Sequence, residues 1–189
     1  MVNGFSERLL NAVIQSSKRI KTETELSSGA TSVSFASVHY ILQHVEDVKQ
    51  KNILLFGTGK IGRNTCENLV KHTKNDQIVL INRTKDSAQR IAGKFNLLVK
   101  NISQLKSEIA NADIMIVATG ADDITVDTAL VSKDKPLLIL DVSVPSNVDP
   151  KLSAMENVSL INLDELSKLT NQTLIKRKKF IPKAEEILK

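Results

Sequence analysis

The chain has 189 residues, with 26 lysines and arginines against 21 acidic residues for a formal charge of +5. It is 41% hydrophobic and 25% charged, the balance of a folded domain with a real core and flanking helices. Aromatic residues are only 3%, which argues against a stacking platform for single-stranded nucleic acid, and the lone cysteine, Cys66, excludes a disulfide framework or a thiolate metal site.

No apolar run approaches the length of a membrane span, and the N-terminus carries no signal-peptide core, so a cytoplasmic location is expected. Gly4 to Ile20 reads as a helix, because Phe5, Leu9, Ala12, Val13 and Ile20 recur at three- and four-residue steps. That stripe needs a partner, either the rest of this chain or a segment that it normally meets. Lys18 to Thr24 is polar and expected as a loop, continued by the small residues from Ser27 to Ser32. A second helix is predicted from Val33 to Val48, with Val38, Ile41, Leu42, Val45 and Val48 inward and Ser32 or Ser34 as its cap. His39 and His44 are five apart on this helix, a spacing that puts them on different faces and not into a metal pair. His72 suits the end of a later helix, where a cation meets the dipole. No metal site is expected.

Ile53 to Phe56 is an unbroken apolar run, the pattern of a strand buried on both faces. Gly57-Thr58-Gly59-Lys60-Ile61-Gly62 follows in the spacing G-x-G-x-x-G, and residues 60–72 then read as a helix. Strand, glycine turn and helix in this order imply a dinucleotide site. Gly57 would make the tight turn, Gly59 would admit the diphosphate, and Gly62 would let the helix pack closely. The diphosphate would rest on the free amides at the helix start. The competing reading is an ordinary strand-to-helix turn. Ile78 to Ile81 is the next predicted strand, ending in Asn82-Arg83-Thr84. An NAD site places an acidic residue about 20 positions beyond the glycines, on the ribose 2′-hydroxyl. Asn82 occupies that position here, with Arg83 beside it, and a guanidinium pairs with a 2′-phosphate that a carboxylate would repel. These residues favour NADP(H), although Asn82 and Thr84 would also suit the capping of the next helix.

Further strands are expected at residues 97–100, 113–118, 137–140 and 158–161, with helices at 84–95 and 102–110. Strands alternating with helices indicate an α/β fold, a doubly wound parallel sheet of the Rossmann type with its first two strands side by side at the centre. Ligands collect beyond the carboxyl ends of such strands, where Thr119 and Gly120 would border the nicotinamide ribose or simply form a turn. Asp141 is expected to bond the backbone amides of the following loop, and Asp149-Pro150 to start a helix. From Leu163 the chain is helical again, passing through the basic run Lys176-Arg177-Lys178-Lys179, which reads as a solvated face and less readily as a tRNA contact. Pro182 is expected to interrupt before a last helix. Three regions are expected: a helical connecting segment at 1–50, the NADP-binding domain at 51–162 and a C-terminal helical segment at 163–189.

These residues resemble glutamyl-tRNA reductase from about Phe5 to Leu188. The resemblance rests on Lys18 to Thr24, on Gly29-Ala30-Thr31-Ser32-Val33-Ser34, on the glycine fingerprint, on Asn82-Arg83-Thr84 and on Asp141 to Pro150. The fingerprint and the Asn-Arg-Thr turn are shared with shikimate dehydrogenase-like domains. One departure is Pro145-Ser146-Asn147, where the family usually has Pro-Arg-Asp. The resemblance implies an NADPH-dependent reduction of glutamyl-tRNA to glutamate-1-semialdehyde, the entry to tetrapyrrole synthesis. It implies a nucleophilic cysteine in a preceding domain, so Cys66 is not that group and no catalytic residue is expected in this chain. It also implies a homodimer formed through helices beyond Lys189, and the downstream glutamate-1-semialdehyde aminomutase as a partner. The chain is therefore expected to bind cofactor without acting as a reductase alone. The alternatives are a free-standing NADP-binding module and a shikimate dehydrogenase-like oxidoreductase.

Overall fold

In the computed structural model, which describes residues 4–26, 32–132 and 134–188, the apolar runs become strands. They are β1 (Ile53–Phe56), β2 (Ile78–Ile81), β3 (Leu98–Lys100), β4 (Ile114–Val117), β5 (Leu137–Asp141) and β6 (Val158–Ile161). All pair in parallel in the order β3-β2-β1-β4-β5-β6. The chain winds outward from β1 to β3, then returns to add β4 on the other side of β1. The switch point of this doubly wound sheet therefore lies between β1 and β4.

Burial explains the unbroken apolar runs. Every residue of β1 and β4 is buried. Leu54, Phe56, Met115, Val117 and Ile139 share one core cluster with Leu105 and Ile109 of the helix α5 (Leu105–Asn111). Alternation turns Ile53, Leu55, Ile114 and Ile116 to the opposite face. There α3 (Lys60–Thr73), which buries Cys66 and Leu69, packs against α2 (Val33–His44). The helix α4 (Lys85–Phe95) covers β2 and β3.

The chain divides into two compact units. One spans 32–167 and holds the whole sheet; the other joins α1 (Gly4–Glu23) to residues from 168 onward, which take in most of α6 (Leu163–Lys178) and all of α7 (Ile181–Leu188). The division differs from cuts after residues 50 and 162. Ser34 Oγ donates to Ile61 O at 3.2 Å, and this bond, with the packing on α3, joins α2 to the sheet. In the other unit, Lys183 Nζ donates to Glu23 O at 2.9 Å. The stripe on α1 leaves Phe5, Leu9, Leu10, Val13 and Ile14 at least half exposed.

Three local expectations need correction. Lys18 to Glu23 is not loop but the end of α1. Arg19 and Glu23 form an i,i+4 ion pair at 2.8 Å, and Thr22 Oγ1 donates to Lys18 O at 3.0 Å, so the polar run is helical surface. The second helix ends at His44 and not at Val48, and Leu42 stays exposed. Helicity is interrupted between Lys178 and Ile181, ahead of a last helix as expected, but Pro182 lies inside the first turn of α7, where no N–H is needed from it. The small residues from Ser27 to Thr31, expected as loop and part of the family resemblance, lie outside the described residues.

Other expectations hold in detail. Ser32 caps α2, accepting from Phe35 N at 3.3 Å. Asp149 caps a 3₁₀ turn at Pro150–Ala154 and accepts from Lys151 N at 2.9 Å. Asp141 accepts from the amides of Ser143 (3.0 Å), Asn147 (2.9 Å) and Val148 (3.1 Å) and from the Ser146 hydroxyl (2.6 Å). His44 stacks on Tyr40, and His39 and His72 lie against Phe35. No described helix is long and apolar enough to cross a membrane.

Candidate functional site

Beyond the carboxyl ends of β1, β2 and β4 lies a cleft of about 650 Å³, a size usual for small-molecule sites. Three glycines shape its floor, each for a different reason. Gly57 leaves β1 at φ 101°, the left-handed region that favours glycine. A Cβ there would overlap the carbonyl oxygen of Ala118 and lie 2.8 Å from Thr119 N, so the bare backbone lets β1 and β4 end close together. Gly62 sits in the first turn of α3, where a Cβ would overlap the carbonyl oxygen of Gly57. Gly59 precedes α3 in ordinary extended backbone, and a Cβ there would meet nothing within 4 Å. The third position is open toward the cleft, as a close-approaching diphosphate requires.

The first helical bond of α3 runs from Arg63 N to Gly59 O at 2.9 Å. The amides of Lys60, Ile61 and Gly62 precede that ladder and offer the positive end of the helix dipole. The side chains of these three residues do not line the cleft; what they can offer is backbone. Gly57, Thr58, Gly59, Asn82, Arg83, Thr84, Thr119 and Gly120 all line it.

Asn82 has a different task from the one its position suggests. Its Oδ1 accepts from Thr58 N at 3.1 Å, and its Nδ2 donates to Thr84 O at 2.8 Å. The amide therefore ties the glycine turn to the end of β2. Thr58 Oγ1 reinforces the tie by donating to Ser87 Oγ at 3.0 Å. Thr84 stands at the start of α4 without a side-chain cap bond. Arg83 is exposed at the cleft edge and makes no hydrogen bond or ion pair among the described residues. Among the described residues it is the one cation on the lining, and no carboxylate lines the cleft. The site is thus electropositive through one guanidinium and a set of helix-end amides.

The β4 side is built from a loop. Thr119 N donates to Ser143 Oγ at 3.2 Å, and the Thr119 hydroxyl donates to Asn147 Oδ1. Ala121 and Thr125 continue this wall, while Ile102 and Leu105 give the cleft an apolar side. Of these four, Ala121 is readable from the sequence as part of the strand end at Thr119-Gly120-Ala121 and Leu105 as an inward helix position, whereas Ile102 and Thr125 belong to no spaced motif. Among the described residues no group of three or more His, Cys, Asp or Glu could hold a metal ion. Cys66 is buried inside α3, and burial, with a smaller contribution from the Glu67 carboxylate, pushes its thiol up to about 12. A thiol so far from ionising is no nucleophile at neutral pH.

The strand order, the glycine turn and the cleft at the switch point define a Rossmann-type nucleotide-binding domain. The family model for shikimate / quinate 5-dehydrogenase matches residues 39–169, and the chain belongs to that family. Within it, the chain is similar to glutamyl-tRNA reductases. It is 65% identical over 188 residues to the glutamyl-tRNA reductase of Christiangramia forsetii, covering 100% of this chain and 45% of the relative. The chain thus spans about half the length of such relatives. The glutamyl-tRNA reductase of Methanopyrus kandleri superposes with a TM-score of 0.88 at 24% identity, over 99% of this chain and 48% of that one. The nucleotide-binding domain of the Thermoplasma volcanium glutamyl-tRNA reductase superposes with a TM-score of 0.63 at 21% identity, over 80% of this chain and 99% of that one. The two superpositions carry the fold; the identity to the Christiangramia protein carries the kinship.

Proposed function

We propose that this chain is the NADP(H)-binding portion of a glutamyl-tRNA reductase, the enzyme that reduces glutamyl-tRNA to glutamate-1-semialdehyde. The observation that carries the cofactor assignment is the composition of the cleft: among the described residues, an open glycine at a helix start, one unpaired guanidinium and no carboxylate. A dinucleotide with three phosphate groups is the ligand that this set of charges fits. The amides of Lys60, Ile61 and Gly62 would hold the diphosphate. Arg83, with Thr84 beside it, would take the 2′-phosphate. Thr119 and Gly120 would border the nicotinamide ribose. NADPH supplies a hydride when bound, and these residues orient it. The whole protein would take glutamyl-tRNA, pair with a second copy and pass its aldehyde to the aminomutase that acts next.

The test is a titration of the purified chain with NADPH and with NADH, followed by nicotinamide fluorescence, on the wild type and on Arg83→Ala. The wild type is expected to prefer NADPH. The variant should lose about tenfold or more in NADPH affinity, the scale of a hydrogen bond to a charged group, with little change for NADH. Equal losses for the two cofactors would refute the role of Arg83. No binding of either by the wild type would refute the cofactor assignment.

A further inference from the structure

We infer that Asn147 is the positioning residue of the β4-side wall of the cleft, and through that wall of the nicotinamide half of the dinucleotide. The inference rests on the cofactor reading above. Between β4 and β5 the described residues form no helix and no strand beyond a single bridge from Val126 to Val148. Yet this stretch supplies Thr119, Gly120, Ala121 and Thr125 to the cleft. Its middle, at Asp122, Asp123 and Ile124, is exposed, so side-chain burial does little to fix it.

Asn147 bonds the first part of this stretch, from Thr119 to Val126. The Thr119 hydroxyl donates to Asn147 Oδ1. Asn147 Nδ2 donates to the carbonyls of Ala121 and Asp123, each at 2.9 Å. The Asn147 carbonyl accepts from Thr125 N at 2.8 Å and Val126 N at 3.0 Å. These bonds also settle which way the amide faces. With two carbonyls on one side, only the NH₂ group can stand there, which leaves the oxygen for Thr119. Asn147 is fully buried, and its own N–H donates to Asp141 Oδ2 at 2.9 Å, which anchors it to the end of β5. The residue does not line the cleft. It acts on the ligand through Thr119 and Ala121, whereas on the adenosine side Asn82 and Thr58 hold the backbone.

The experiment compares NADPH with 2′,5′-ADP, which carries the adenosine and the 2′-phosphate but no nicotinamide. The proteins are the full chain, Asn147→Ala, Thr119→Val and the double variant. Asn147→Ala should weaken NADPH by about tenfold and leave 2′,5′-ADP within about twofold, the loss corresponding to one or two net hydrogen bonds. Thr119→Val should show the same selectivity, and the double variant less than the sum, because the two share one bond. Hydrogen exchange at residues 119–126 should speed up in Asn147→Ala while residues 57–84 keep their protection. A loss of equal size for both ligands, or none for either, overturns the inference. If Asn147→Ala does not fold, Asn147→Asp, which keeps an acceptor for Thr119 and removes the donors to Ala121 and Asp123, decides: a nicotinamide-selective loss supports the inference, and an unselective one or none overturns it. A wild type that binds neither ligand brings down the cofactor reading first, and this inference with it.

Discussion

The three glycines of the turn should respond to alanine in three separable ways. Gly57→Ala forces a left-handed φ on an L-residue and drives a methyl into the Ala118 carbonyl. Left-handed strain costs about 1–2 kcal/mol and overpacking about 1–3 kcal/mol, so roughly 2–5 kcal/mol is at stake. At about 2–4 °C per kcal/mol for a chain of this size, Tm should fall by roughly 10 °C. Gly62→Ala has no φ penalty but presses on the Gly57 carbonyl and, at 3.3 Å, on Ala118 Cβ; it should cost about 1–3 kcal/mol. Gly59→Ala meets nothing and keeps its φ of −66°. It should cost only the difference between glycine and alanine at a helix N-cap, about 1 kcal/mol or less. Its effect lies in binding. The methyl would stand where the diphosphate must approach the amides, a loss of about 1.5–3 kcal/mol, or tenfold to a hundredfold in Kd. NADPH at about 100 times the wild-type Kd stabilises the wild type by about 2.7 kcal/mol, an upward Tm shift of roughly 5–10 °C. A hundredfold weaker Gly59→Ala would keep only about 0.4 kcal/mol of that. The assay is thermal unfolding by circular dichroism with and without NADPH. A Gly59→Ala variant that keeps the full ligand shift, or a Gly57→Ala variant that melts with the wild type, would refute the reasoning.

Two further expectations concern titration and reactivity. Burial pushes the Asp113 carboxyl up, but Lys135 Nζ at 2.9 Å and the Asn52 amide at 2.8 Å outweigh it, so the group is held below its ordinary value. The unfolded chain then binds the proton more readily, so this contribution to stability is present above about pH 4 and is lost as pH falls through the depressed folded value. Asp113→Asn should flatten the dependence of Tm on pH between about 3 and 5; an unchanged slope would count against the pair. Cys66 should resist a thiol reagent in the native protein and react once denaturant unfolds α3, because its thiol is buried and held up to about 12. Rapid native labelling would refute that placement.

The parts of this fold that were legible in the sequence are those whose partners are near in sequence or repeat with a period. Ile53 to Phe56 and Ile114 to Val117 read as strands because burial on both faces leaves no polar position to interrupt them. Gly57 and Gly62 were legible because each answers a steric demand met within five residues of it or at the adjacent strand end, and Gly59, which meets nothing, by its spacing from them. What stayed hidden is a set of asparagines that close loops at a distance. Asn75 Nδ2 donates to the carbonyls of Val48 and Lys51, at 2.6 and 2.7 Å. Asn157 Nδ2 does the same for Ser132 and Lys135, at 2.9 and 2.7 Å, and Asn147 for Ala121 and Asp123. Each amide spends both hydrogens on two carbonyls of a segment more than 20 residues away. Asn82 belongs with them, since its Oδ1 accepts from the distant Thr58 N. An asparagine carries no periodicity, and its letter does not say whether it faces water, caps a helix or bonds a distant loop. The cleft therefore has one wall that was readable, made of glycines and a helix end, and one that was not. The second wall depends on a single buried amide, Asn147, whose partners become neighbours only when β4 and β5 pair.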